Sequence, residues 1–217
     1  MLRSNMKKLV FTITFILLLN FAPLLGKPAL MLHYKSILLA IAAACLWLSQ
    51  PAFSTEEAKR DKSSDRSSIL VILIMTCVSV VAAVSEWAYS LNAVEYSFSV
   101  TILGALLLIG GISIRVWAIQ TLGKHFTATV TLTDGHRLVT SGPYQWVRHP
   151  SYLGAFMAII GCAVFLNAPW ATVIAALSMT IAYYLRIGVE EKMLIEYFGP
   201  QYQEYIKRSK RIIPFIW

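Results

Sequence analysis

Charge is what this sequence has least of. Of its 217 residues only 14% are Asp, Glu, Lys or Arg, against 57% hydrophobic ones, and the mean hydropathy is +0.63. That excludes a disordered chain and an ordinary soluble or secreted domain, in which charged residues make up about 25%. Acidic residues are the scarcer sign, with 11 Asp and Glu against 19 Lys and Arg, a formal charge of +8. In a soluble protein such an excess points to nucleic acid; in so apolar a chain it sets orientation in a bilayer, and no nucleic-acid partner is expected. Cysteine is also rare. Cys45, Cys77 and Cys162 each lie inside an apolar run, without CxxC spacing or a neighbouring His, so neither a disulfide framework nor a metal site is expected.

What the chain does have is long hydrophobic runs. A helix needs about 20 mostly apolar residues to cross the hydrocarbon, because lipid satisfies no exposed backbone group. Residues 9–25, 36–53, 69–91 and 99–119 approach or meet that requirement, and residues 152–187 read as two further spans broken around Asn167 and Pro169. Six spans are expected, forming an all-α, multi-pass helix bundle. Residues 31–53 also have the basic start and apolar centre of a signal peptide, but they lack a clean small-x-small cleavage site and are read as a span.

Residues 55–68 are too polar to bury and too short for a domain, and are expected to form a solvated linker. They carry Lys59, Arg60, Lys62 and Arg66, whereas the next loop, residues 92–98, has no Lys or Arg. The bias places the linker in the cytoplasm, and the same rule puts residues 124–148 and the tail after Arg186 there too. The chain divides into N-terminal spans, 1–98, and a membrane-embedded core, 99–217.

Chemistry is to be sought where the chain is not greasy. Residues 121–151 hold His125, Asp134, Gly135, His136, Gly142, Pro143, Tyr144, Arg148, His149 and Pro150. A loop of that length is usually functional, and its Gly and Pro turns leave backbone amides for a ligand. A second polar island is Arg186, Glu190 and Glu191, just beyond an apolar run. On a continuous helix Arg186 and Glu190 share a face, with Glu191 about 100° further round. Taken alone, Arg186 and Glu190 are more often an ion pair at the membrane surface, with Arg186 snorkelling, and His149 more often a structural histidine. Glu86 is an ionisable group within the third span to which no role is assigned. Past Met193, Leu194, Ile195, Phe198, Tyr202, Tyr205 and Ile206 recur at helical spacing and Gly199-Pro200 divides them, so the tail is expected to form two amphipathic pieces on the interface.

The strings Gly135-His136-Arg137-Leu138-Val139, Ser141-Gly142-Pro143-Tyr144 and Val147-Arg148-His149-Pro150-Ser151-Tyr152-Leu153-Gly154 resemble the signature of the isoprenylcysteine carboxyl methyltransferase family. So do Arg186, Glu190-Glu191, Phe198-Gly199 with Tyr202 and Tyr205, and Ile213-Pro214-Phe215. The likeness covers residues 103–217 in the family's order. It implies an integral membrane methyltransferase that uses S-adenosylmethionine, held by cytosolic loops, to esterify the carboxylate of an isoprenylated cysteine. It also implies the absence of a Rossmann domain, in keeping with the lack of any GxGxxG after a strand pattern. By the same resemblance His136, Arg137, Leu138, Val139, Tyr144, His149, Pro150, Ser151, Tyr152 and Glu190 hold the cofactor, and Arg186 contacts the substrate carboxylate. Eukaryotic members have a longer acidic run before the position of Glu190 and a Gln upstream of that of His136; here Gly188-Val189 and Thr131 stand there.

These residue types suit the reaction. Methyl transfer from a sulfonium is an in-line displacement that needs alignment and exclusion of water. A carboxylate acceptor, with a pKa near about 4, needs no base. It needs a planar cation to orient it, which Arg186 offers, while Glu190 balances charge or holds the cofactor's hydroxyl or amino groups. Two rivals remain: a lipid amine or small thiol as acceptor, which would need a route for proton loss, and a transporter or structural membrane protein, for which the halves show no paired repeats.

Overall fold

A computed structural model of the chain describes residues 2–49, 63–90, 97–123 and 137–213. Among them every regular element is helical. The order is α1 (Leu2–Ile16), α2 (Tyr34–Ser49), α3 (Ser63–Tyr89), α4 (Phe98–Leu122), α5 (Pro150–Phe165), α6 (Pro169–Phe198) and α7 (Pro200–Arg208), with short 3-10 and π turns between. Ser67–Tyr89, Phe98–Leu122 and Pro169–Phe198 are long and apolar enough to cross a bilayer. Their outer faces show Ile74, Leu106, Ile109, Leu177 and Ile181 to the surroundings, as a lipid-facing surface requires.

The other three expected spans are shorter apolar helices, Lys8–Leu24, Tyr34–Ser49 and Pro150–Phe165. In the first, α-helix gives way at Leu17 to a π turn, Leu17–Phe21, and then to a 3-10 turn, Ala22–Leu24. Pro23 is the cause: it has no N–H to donate and its ring crowds the carbonyl four residues back. The end of the expected 36–53 span lies outside the described residues. So do residues 55–62 of the linker, but Ser63–Ser68 are the first turns of α3 rather than linker.

Two contacts hold the bundle. On one side, α4 meets α5 through glycines. A Cβ on Gly111 would sit 2.5 Å from the Ala158 nitrogen and the Gly154 carbonyl, and one on Gly154 would sit 2.6 Å from the Arg115 nitrogen. Backbone therefore touches backbone, the packing small residues permit between helices in lipid. On the other side α3 lies along α6, and Glu86 finds its purpose there. Its carboxylate accepts from the Trp170 and Ala171 amides at 3.2 and 2.6 Å, satisfying donors that the first turn of α6 leaves unpaired.

Proline and left-handed residues set the helix ends. Asn167 (φ 58°) turns the chain between α5 and α6, and Pro150 and Pro169 occupy first-turn positions where a missing N–H costs nothing. With 30 residues, α6 is about 45 Å long, so about a third of it extends beyond a hydrocarbon core of about 30 Å. Arg186 and Glu190 fall at that boundary. Residues 193–198 are continuous with α6 instead of forming a separate interfacial piece, because nothing before Gly199 (φ 54°) breaks the helix. Only α7 is the separate amphipathic segment, with Tyr202 and Tyr205 buried and Lys207 and Arg208 in its last turn.

Candidate active site

The tail returns to the loop before α5. The Arg148 and His149 amides donate to the Lys210 and Arg211 carbonyls at 2.7 and 3.1 Å, and the Lys210 amide donates to the Trp146 carbonyl at 2.9 Å. This short parallel pairing fixes His149 in a non-helical conformation (φ -125°, ψ 56°) just ahead of Pro150, where a proline disfavours helix. It also sets the loop against the charged end of α6.

Glu191 is the hub of that junction. Its carboxylate, on a side chain 7% exposed, accepts from Arg148 Nε at 2.8 Å and from Arg211 Nε at 2.9 Å. His149 Nε2 lies 3.3 Å from Glu191 Oε1, a contact that makes Nε2 the protonated nitrogen. Arg148 also donates to the Ser209 carbonyl at 2.6 Å. Three cationic or donor groups from the loop and tail thus converge on one buried carboxylate.

Glu190 does something else. It accepts from the Tyr152 hydroxyl at 2.8 Å, and that hydroxyl accepts from Arg186 Nε at 3.2 Å. Arg186 Nη1 donates to Ser68 Oγ at 2.8 Å. A chain therefore runs from α3 through the guanidinium and the phenol to the carboxylate. Arg186 is 2% exposed, so it does not snorkel; the polar groups of α3 and α5 come to it.

Arg186, Tyr152 and Glu190, with Arg148 and His149, border a cavity of about 500 Å³. Arg137, Leu138, Val139, Tyr144, His149, Ser151, Tyr152, Arg186 and Glu190 line it, so nearly all of the site expected from the sequence is brought together. Pro150 is fully buried and starts α5 without being part of the lining. His136, like His125 and Asp134, lies outside the described residues. Burial first, then the Glu190 carboxylate, pushes the Tyr144 phenol above its ordinary range, so it stays protonated and donates to the Ala118 carbonyl at 3.4 Å.

Sequence reasoning missed three features. Arg211 reaches Glu191 across 20 residues and a helix break, a distance no spacing rule covers. Arg115, on α4, donates to the Ser151 carbonyl at 2.9 Å and lines the cavity; a lone Arg near the end of an apolar run was its only signal. The N-terminal helices supply the apolar wall, where Phe11, Phe15 and Trp47 form an edge-on aromatic cluster beside Leu39, Leu46 and Leu73. The cavity is polar where α6 ends and apolar where α1 and α2 meet it.

The sequence model of the isoprenylcysteine carboxyl methyltransferase (ICMT) family matches residues 102–196. Protein-S-isoprenylcysteine O-methyltransferase of Saccharomyces cerevisiae is 42% identical over 118 residues, 54% of this chain and 49% of that one. The enzyme of the same name from Homo sapiens is 39% identical over 146 residues, 63% of this chain and 51% of that one. The chain spans about half the length of these curated relatives. A solved structure described as the eukaryotic intramembrane Ras methyltransferase ICMT superposes with a TM-score of 0.66 at 28% identity, over 93% of this chain and 73% of that one. The apolar helices and this likeness make the chain an integral membrane protein. Over residues 102–196, which contain Tyr152, Arg186, Glu190 and Glu191, its sequence is similar to the isoprenylcysteine carboxyl methyltransferase family.

Proposed function

We propose that this protein transfers a methyl group from S-adenosylmethionine to the carboxylate of an isoprenylcysteine-like lipophilic substrate, forming a methyl ester. The observation that carries the reading is the cavity itself, apolar against Phe11, Phe15 and Trp47 and polar at Tyr152, Arg186 and Glu190. A molecule with a hydrocarbon tail and an anionic head matches that division, and its head would meet the polar groups at the bilayer boundary.

The residues present suit the cofactor. S-adenosylmethionine carries a sulfonium, an ammonium, a carboxylate and ribose hydroxyls, and when bound it supplies an electrophilic methyl group. The Glu190 carboxylate suits the cationic and hydroxyl parts, and Arg137 and Arg148 suit the carboxylate. Leu138, Val139, Tyr144, His149 and Ser151 complete the wall, with Pro150 setting the turn that presents them. His136 is assigned to the same pocket on the family pattern alone.

Arg186 is the group proposed to orient the acceptor carboxylate. Its guanidinium plane is held by Tyr152 and Ser68, so little conformational freedom is lost on meeting a substrate oxygen. Tyr152 couples that orientation to Glu190, which keeps the two ligands' contact groups in register. Burial excludes water and strengthens each of these interactions. No base is required, since the acceptor is already ionised at neutral pH.

In this reading residues 99–217 form the methyltransferase core and residues 1–98 contribute the wall for the lipid tail. The loop before α5, the charged end of α6 and the tail face the cytoplasm, the side the basic residues favour. The test is an assay of purified protein with labelled S-adenosylmethionine and three acceptors: a prenylcysteine analogue, a lipid amine and a small thiol. Base-labile label on the prenylcysteine is the expected result. Label on only the amine or thiol would overturn the choice of acceptor, and no S-adenosylmethionine binding at all would overturn the enzyme reading.

A further inference from the structure

Several tyrosines border the polar end of the cavity, and three have their hydroxyls engaged. Tyr144 donates to the Ala118 carbonyl at 3.4 Å, Tyr152 to Glu190 at 2.8 Å and Tyr205 to the Tyr144 carbonyl at 2.6 Å. Tyr202 is different. Its side chain is 1% exposed and borders the same cavity, yet its hydroxyl is buried without a hydrogen-bond partner among the described residues.

The position of that hydroxyl follows from the backbone. Gly199 (φ 54°) turns the chain out of α6, and Pro200 starts α7. Tyr202 and Tyr205 are then three residues apart on one face, their rings edge-on at 5.8 Å. Tyr205 is tied to the loop through the Tyr144 carbonyl, so its neighbour's ring is fixed as well. Buried hydroxyls without partners are few in native proteins because each lowers the stability of the fold. Where one borders a cavity, a bound molecule can supply the missing partner. Burial, and then the Glu191 and Glu190 carboxylates, holds this phenol protonated, so it acts as a donor.

Resting on the methyltransferase reading above, we infer that Tyr202 is a ligand-contacting residue whose O–H donates to a carboxylate or hydroxyl oxygen of the bound molecule. That oxygen belongs either to the cofactor or to the lipophilic acceptor, and the two are separable by experiment. Neither the family strings nor the polar island at Arg186 assigns Tyr202 such a contact; in the sequence it reads as one position of an apolar stripe.

Tyr202→Phe removes the hydroxyl and keeps the ring. Purified wild-type and variant protein would be titrated calorimetrically with S-adenosylhomocysteine and, separately, with a prenylcysteine carboxylate analogue, and unfolded thermally without ligand. The unliganded variant is expected to melt at or above the wild-type temperature, because an unsatisfied group has gone. The dissociation constant for one of the two probes is expected to rise about 5- to 30-fold, the range for one hydrogen bond of about 1–2 kcal/mol, and the probe affected identifies the source of the oxygen. Tyr205→Phe, by contrast, should melt lower, since its hydroxyl is engaged within the protein. Wild-type constants for both probes in Tyr202→Phe, or a lower melting temperature for it without ligand, would overturn the inference. If the wild type binds neither probe, the methyltransferase reading fails and takes this inference with it.

Discussion

Adjacent carboxylates on α6 should respond to the same substitution in opposite ways. Glu191→Gln removes the negative charge on which Arg148, Arg211 and His149 converge. The Glu191 and Arg148 side chains are 7% and 8% exposed, so little water is present to replace the lost partner. Breaking a buried pair from one side costs about 3–5 kcal/mol. Arg148 keeps its bond to the Ser209 carbonyl, and Arg211 is 32% exposed, so the low end applies, about 3 kcal/mol. For a chain of this size that is a fall of roughly 6–12 °C in melting temperature. Glu190→Gln loses charge but keeps an acceptor for Tyr152, and its side chain is 25% exposed, so the expected cost is under about 1 kcal/mol. Its effect should fall on S-adenosylhomocysteine affinity instead. The assay is thermal unfolding of ligand-free protein in detergent, paired with calorimetric titration of each variant. Equal melting shifts for the two variants, or a shift below about 2 °C for Glu191→Gln, would refute the division of labour.

The remaining predictions concern the proposed substrate anchor and the two helix contacts. Arg186→Lys should retain charge yet lose most methyl transfer, because an ammonium cannot give the bidentate, planar contact; near-wild-type turnover by Arg186→Ala in detergent would remove Arg186 from the mechanism. Gly154→Ala should cost about 1–3 kcal/mol or more, since the new Cβ would lie 2.6 Å from the Arg115 nitrogen and the Gly111 carbonyl, and a melting scan reads the loss. Glu86→Ala should cost about 0.5–2 kcal/mol by uncapping α6, and Glu86→Asp or Glu86→Gln should recover part of it in the same scan.

The helices were legible because lipid imposes a length and a composition that few residues can disguise. The break at Asn167 and Pro169 was read in place, and so was the interruption at Gly199-Pro200. The first run was read as one span because its hydropathy is continuous; Pro23 changes the winding without changing the composition. The same blindness affected residues 63–68, where Ser, Asp and Arg look like linker but form the first turns of α3.

The candidate site divides in a similar way. Arg186, Glu190 and the His149-Pro150-Ser151-Tyr152 string were found because polar groups are costly in apolar sequence and stand out against it. Spacing alone placed Arg186 and Glu190 on one face of a helix, and composition alone required a bilayer. Tertiary structure decided which of two neighbouring carboxylates faces the cavity and which binds the tail, since a rotation of about 100° acquires meaning only when α5 and the returning tail lie alongside. It also decided that Arg186 is buried, that Glu86 caps another helix and that the Tyr202 hydroxyl lacks a partner among the described residues. Each of these depends on atoms far apart in the chain meeting within hydrogen-bond distance, and such a meeting leaves no periodicity in the sequence to be read.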